Sequence, residues 1–301
     1  MDITRSGIPS PEVTQSFQRQ RSVAAALKRF CTMKPLGAIG GFVVLVMTLV
    51  AIAAPFISPY GPYDTDYDHI RTPPGARFIL GSDEFGRDVY TRILYGARTS
   101  LYVGLLAVGL GTTLGGLIGL VGAFWGGKAD LASQRLVEVL MAFPMLVMAL
   151  TIVAALGSSV NNVVLALAAV LMPQGARVIR SAVLAVKESQ YVDAARAIGG
   201  SDVHIMLRHV LPNCVAPYII VATAGLGWTI LVESSLSFLG LGVPQPEPTW
   251  GGMLSGAGRQ FATSAPWLAV FPGVALSLAV FGFNLLGDAL RDVLDPRLRR
   301  G

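Results

Sequence analysis

The chain has 301 residues, 53% of them hydrophobic and only 14% charged, where an ordinary soluble domain carries about 25% charged residues. That excludes a soluble globular domain and describes an integral membrane protein. The net charge of +5 does not argue for nucleic acid, because in a membrane chain the placement of cations matters more than their sum.

Residues 1–34 are polar, contain Pro9 and Pro11, and become basic between Arg19 and Lys34. Stretches free of Asp, Glu, Lys and Arg then cover 35–63, 99–127, 139–176, 209–232 and 260–287. A spanning helix needs about 20 apolar residues at 1.5 Å each, so four of these hold one span each. Residues 139–176 would form a rod of roughly 57 Å, too long for a hydrocarbon core of about 30 Å. The interruption "GSSVNN" at 157–162 splits that window into a tight hairpin. The expectation is an all-α integral membrane protein with six transmembrane helices, near 37–57, 101–125, 136–156, 161–181, 214–239 and 267–287.

An even number of spans puts both termini on one side. With that side inside, the inner segments hold 17 Lys and Arg and the outer ones six: Arg71, Arg77, Arg87, Arg92, Arg98 and Arg259. The positive-inside rule therefore predicts both termini cytoplasmic. A cleaved signal peptide is not expected, because the first apolar segment begins far into the chain and "AIAA" runs directly into Pro55. The sequence divides into a cytoplasmic segment 1–34, a first span with its outer loop 35–98, a core 99–290 and a cytoplasmic tail 291–301. The core contains the polar insert 182–213. The outer loop 58–98, rich in Pro, Gly, Asp and Tyr, should fold as a small platform, since long structureless loops are uncommon. The second outer loop, 240–266, carries Pro244, Pro246 and Pro248, which forbid a regular helix there.

Several motifs dissolve on inspection. Gly111, Gly115 and Gly119 share one helical face and let backbones approach closely, either inside one subunit or between subunits. "GAFWGGKA" (122–129) matches a phosphate loop up to Ala129, which stands where a Ser or Thr would hold magnesium. A membrane helix, not a strand, precedes it, so it reads as a glycine-rich helix exit with Lys128 snorkelling. His204 and His209 lie five apart, off the spacing of a helical metal pair, and no G-x-S-x-G elbow is present. Cys31 and Cys214 read as buried small apolar residues. Nothing marks the chain as an enzyme, and no metal or other cofactor is expected in it. Glu233, in "ILVESSLSF", is the intramembrane charge to place. It belongs either to a structural bond between helices or to a translocation path.

The insert holds "YVDAARAIGGSDVHIMLRHVLPN" (191–213). Val203, Met206, Leu207 and Val210 fall at helical spacing on one face, with Ser201 as N-cap. Gly199 and Gly200 permit a sharp turn that would set this helix across the membrane normal, and Pro212 is expected to end it before the fifth span. An apolar face at a depth without lipid suits a groove on a soluble partner.

Asp193, Ala194 and Ala195, then Gly199, then Leu211 and Pro212 resemble the E-A-A loop of ATP-binding-cassette importer permeases. Here Asp193 replaces the usual Glu, and His209 occupies an Ile position. "LGSDEFGRDVYTRILYGARTSL" (80–101), "LSFLGLGVPQPEPTWG" (236–251) and "GDALRDVLDPR" (287–297) are similar to signatures of the dipeptide, oligopeptide and nickel branch. The four motifs occur in the family's order from about residue 36 onward. The resemblance implies a type I importer permease (MetI-like) fold and the second, six-span subunit of a permease pair. It implies a homologous permease, two cytoplasmic ATPase subunits that hold ATP and magnesium, and an extracytoplasmic binding protein as partners. Peptides are the expected cargo, with nickel chelates, glutathione or opines as alternatives on the same machinery. In that setting Asp193, Ala194, Ala195, Gly199, Val203, Met206, Leu207, Val210, Leu211 and Pro212 would carry ATPase coupling. An ion-coupled secondary transporter would place ionisable residues at mid-membrane, where these spans have almost none. A membrane-anchored assembly factor would not need the amphipathic insert.

Overall fold

The computed structural model describes residues 30–294. The readings of the segment before residue 30, of the tail after 294 and of the last residues of the closing motif lie outside the described residues. Eleven helices of the described chain carry the architecture: α1 (Pro35–Ile57), α2 (Val89–Trp125), α3 (Gly127–Met141), α4 (Met145–Leu156), α5 (Val160–Lys187), α6 (Gln190–Ala197), α7 (Asp202–Ile205), α8 (Leu211–Phe238), α9 (Trp250–Ser255), α10 (Ala257–Gln260) and α11 (Trp267–Leu294). Five helices are long and apolar enough to cross a membrane, or six when the bent pair α3–α4 counts as one span.

The centre of the bundle is the parallel pair α2 and α5, and glycine makes it possible. A Cβ at Gly111 would lie 2.5 Å from the Ala168 carbonyl oxygen, and Cβ atoms at Gly115 and Gly119 would run into the carbonyls of Met172 and Ala176. The four-residue glycine period is thus a tight contact inside this chain. Apolar side chains continue the core beyond it, with Val103 and Ala107 of α2 packed among Val163, Leu167 and Val170 of α5. On the other flank α1 lies antiparallel on α11, where a Cβ at Gly40 would meet the Gly282 carbonyl at 2.7 Å. Lys34 and Asp292 pair at 2.6 Å, so the start of the first span and the end of the last lie at one end of the bundle.

Helix limits follow local chemistry. Asp88 accepts from the Thr91 N–H at 2.8 Å and starts α2 well before the apolar window. Gly126 (φ +69°) and Gly127 (φ +54°) turn the chain out of α2, as expected of a glycine-rich exit, and Lys128 is exposed. The hairpin is as tight as "GSSVNN" suggests. Gly157 leaves α4 with φ +86°, Ser159 caps α5, and the Asn162 amide donates to the Leu156 and Gly157 carbonyls at 2.9 Å.

Three expectations need correction. The third span, expected as one helix over 136–156, is broken, with α3 and α4 meeting at 89°. Pro144 has no N–H for the Leu140 carbonyl and disfavours helical geometry at Phe143. Pro212 does not end a helix: residues 202–238 run as one helix into the fifth span. A π-helical turn at Met206–Val210, in which the Leu211 N–H bonds the Met206 carbonyl, relieves the clash that a proline makes with the carbonyl four residues back. The 202–210 segment is therefore the root of that span, not a separate helix lying across it. Finally, Cys214 is buried but Cys31 is exposed.

Candidate coupling and platform sites

The two ends of the bundle are built differently. At the end carrying the first long loop, residues 58–88 and 240–266 fold onto one another. Asp83 accepts from the backbone N–H groups of Phe85 and Arg87 at 2.9 Å and pairs with the Arg87 guanidinium at 2.6 Å. Arg92, 4% exposed, reaches the Pro62 carbonyl at 3.0 Å and the Pro246 carbonyl at 3.4 Å, stapling the loops together. Trp250, 1% exposed, donates its indole N–H to the Ile93 carbonyl at 3.2 Å. Tyr63 donates to Glu247 at 2.8 Å, and the Trp267 indole bonds the Ser82 carbonyl at 3.2 Å. His69 and Arg77 hold the Asp66 carboxyl below the usual range, whereas burial and neighbouring Asp83 push Glu84 up. The expected platform is present, and it is self-contained.

Glu233 belongs to this end. It is buried in α8, and its Oε1 accepts from the Ser237 hydroxyl at 2.9 Å. Directly beside it, a Cβ at Gly251 would sit on Ser234, so α9 closes over that turn. The carboxylate lies in the interior of this chain.

The opposite end carries the insert. Lys187, in the last turn of α5, donates to the Phe124 carbonyl at 2.6 Å and caps α2 as basic residues cap helix C-termini. Arg180 grips Asp130 with two bonds of 2.8 and 2.7 Å, tying α3 to α5. Gly199 adopts φ +86°, which a residue with a Cβ resists. A Cβ at Gly200 would lie 2.7 Å from the Ala195 carbonyl. The pair makes the turn that separates α6 from α7. Ser201 caps α7 by accepting from the His204 N–H at 3.4 Å.

The apolar stripe of the insert divides between two environments. Met206 and Val210 sit with Val192, Ala195 and Ile205 in a core shared with Leu120, Phe124 and Ile179. Val203 and Leu207 are 53% and 52% exposed, Leu211 is 38% exposed, and Ile198 is 87% exposed. Asp193, Ala194, Gly199 and Pro212 are also exposed. The insert is thus anchored by one set of apolar side chains and leaves Ile198, Val203, Leu207 and Leu211 exposed, of which Ile198 is a residue that helical spacing alone does not reveal. Burying a side chain of this size stabilises a contact by about 1.5–3 kcal/mol, so the exposed set can drive a docking. His204 and His209, five apart, have ring centroids 6.0 Å apart, because the π turn adds a residue to the helical repeat.

These features meet a known sequence pattern. Residues 111–300 match the family described as "Binding-protein-dependent transport system inner membrane component", and residues 24–74 match the N-terminal transmembrane domain of oligopeptide transport permease C. The chain belongs to this permease family. It is 41% identical to a dipeptide transport system permease protein of Alkalihalophilus pseudofirmus, over 97% of this chain and 96% of that one. It is 42% identical to a putative peptide transport system permease protein of Brucella suis, over 87% and 88%. It is also 42% identical to a glutathione transport system permease protein of Escherichia coli, over 85% and 84%. The chain is accordingly a multi-pass membrane permease of a bacterial type of transport system. The described residues thus form a closed platform at one end and leave apolar side chains of the insert exposed at the other.

Proposed function

We propose that the chain is one permease subunit of an ATP-driven importer of di- and oligopeptides. It works beside a homologous permease and above two cytoplasmic ATPase subunits, with an extracytoplasmic binding protein delivering cargo at the platform end. Peptide-named relatives along nearly the whole chain support the cargo class. The excess of Lys and Arg in the inner segments supports a cytoplasmic position for both termini and for the insert. In this reading Asp193, Ala194, Ala195, Gly199, Leu211 and Pro212 shape the insert, Met206 and Val210 root it, and Ile198, Val203 and Leu207 meet the ATPase. The catalytic chemistry, ATP and magnesium belong to those ATPase subunits.

The observation that carries the reading is the exposed apolar set at the insert end, beside a root packed into α2 and α5. A partner that closes on nucleotide binding would push there, and Lys187 and the Arg180–Asp130 pair would pass the displacement into the bundle. The glutathione permease relative favours one second reading, a γ-linked tripeptide on the same machinery. The test is reconstitution of the complete assembly in vesicles with dipeptides, tripeptides and glutathione as separate cargoes. ATP-dependent uptake of the peptides is expected, and none when this subunit is omitted. Uptake driven by an ion gradient without ATP would contradict it.

A further inference from the structure

Glu233 is an interior carboxyl that no cationic side chain of this chain meets. It is 1% exposed, and none of the ion pairs among the described residues includes it. Its surroundings are hydroxyls. Ser234 and Ser237 follow it on α8, Thr249 stands at the start of α9, and all three are buried and lie against the carboxyl. Ser237 donates to Oε1 at 2.9 Å, and the Thr249 hydroxyl accepts from the Gly252 N–H at 3.0 Å. Two oxygens are left without a hydrogen-bond partner, Glu233 Oε2 and Ser234 Oγ.

Packing holds the cluster together. A Cβ at Gly251 would run into Ser234 and one at Gly242 into Ser237, so the chain from 242 to 251 is pressed onto this turn of α8. An ionised carboxylate buried without a partner is costly, and three occupants could answer it. A proton on Oε2 would be a donor in need of an acceptor, which Oε2 lacks, and Ser234 Oγ would stay unmatched. A water could join the two oxygens but would leave the charge in place. A cation takes lone pairs from Oε2 and Ser234 Oγ together and cancels the charge.

The oxygens also select the kind of cation. Hard cations take oxygen ligands, and divalent ones commonly draw on carboxylates for several of them. Here a single carboxylate stands among neutral hydroxyls, and no group of three His, Cys, Asp or Glu that could hold a metal occurs among the described residues. One negative charge matches one positive charge.

We propose that Glu233, Ser234, Ser237 and Thr249 bind a monovalent alkali cation that ties α9 to α8. Thr249 opens α9 and Trp250 follows it into the core, so the ion fastens the second outer loop to the fifth span. The stability of the platform then follows the alkali-ion concentration. Neither cargo nor a partner subunit is needed for this site.

The test uses the full chain purified in nanodiscs, at fixed pH and ionic strength, with sodium exchanged for choline. Sodium at about a hundredfold excess over its Kd should raise the thermal midpoint by about 5 °C or more. Glu233→Gln keeps the shape and removes the charge. It should abolish the sodium increment while unfolding no lower than wild type in choline, and Ser234→Ala should weaken the increment. Wild-type chain should also retain radioactive sodium that unlabelled sodium displaces and choline does not, a readout that stands even if Glu233→Gln fails to fold. Equal midpoints in sodium and choline with no retained label would overturn the proposal, as would an undiminished sodium increment in Glu233→Gln. A midpoint that follows pH and ignores sodium would overturn it too, and would give the carboxyl a proton instead.

Discussion

The platform end and the insert end differ in how much of their own surface they satisfy. At the platform, Asp83, Arg87, Arg92 and Trp250 are buried within the chain, and loops far apart in sequence hydrogen-bond one another. At the insert, Met206 and Val210 are buried while Val203, Leu207 and Ile198 stay open. A region that closes on itself can fold unaided and present a fixed shape. One that leaves apolar side chains exposed on a polar loop keeps surface to offer a partner, as proposed above for the ATPase. Between them, α2 and α5 touch backbone to backbone along three glycines, so a displacement at one end is not absorbed by soft side chains on the way.

The largest effect should come from breaking that connection. Gly115→Leu drives a side chain into the Met172 carbonyl, and a backbone atom cannot step aside as a flexible side chain can. A cost of at least about 3 kcal/mol is expected, seen as loss of monodisperse permease on size-exclusion chromatography. Trp250→Ala should follow, since emptying a buried aromatic site costs about 3–5 kcal/mol. The thermal midpoint of the purified permease should fall, whereas Leu207→Ala at the open insert should leave it almost unmoved. Asp130→Asn removes the charge from a paired, partly exposed bond to Arg180. It should cost about 1 kcal/mol or less in stability but should raise ATP hydrolysis per peptide imported, because α3 no longer follows α5.

The smallest effect concerns Glu84. Burial raises its carboxyl above the usual value, so the folded chain binds that proton more tightly than the unfolded chain. Its contribution is most favourable at low pH and weakens as pH rises from the ordinary carboxylate value through the folded one. Glu84→Gln should remove this slope and stabilise the platform at neutral pH by less than about 1 kcal/mol, measured by thermal unfolding across the carboxylate range.

What the sequence made legible was the part written in local periods. Charge-free windows located the spans, "GSSVNN" located the hairpin, and the period of Gly111, Gly115 and Gly119 located a close helix contact. Gly199 was marked as a turn, and it has the positive φ that only glycine adopts freely. Less legible was anything requiring a distant partner. Arg92 is fixed by carbonyls 30 and 154 residues away, which no window contains. The stripe Val203, Met206, Leu207 and Val210 gave an apolar pattern, but a period alone cannot say which members face the chain's own core. Pro144 and Pro212 show the limit from another side. The same residue type sits at an 89° break in one place and just after a π turn inside a continuous helix in another, a difference that its identity alone does not announce.

The completing partner of the insert is the claim most open to direct measurement. Leu207→Asp puts a charge on the exposed stripe while leaving Met206 and Val210 rooted. Isolated permease carrying it should unfold at the wild-type temperature. Removing a central apolar anchor costs about 2 kcal/mol or more, so affinity for the ATPase subunits, titrated by fluorescence in nanodiscs, should fall at least about thirtyfold. Wild-type affinity together with wild-type peptide uptake would contradict it, and would leave the open face of the insert without a role in coupling.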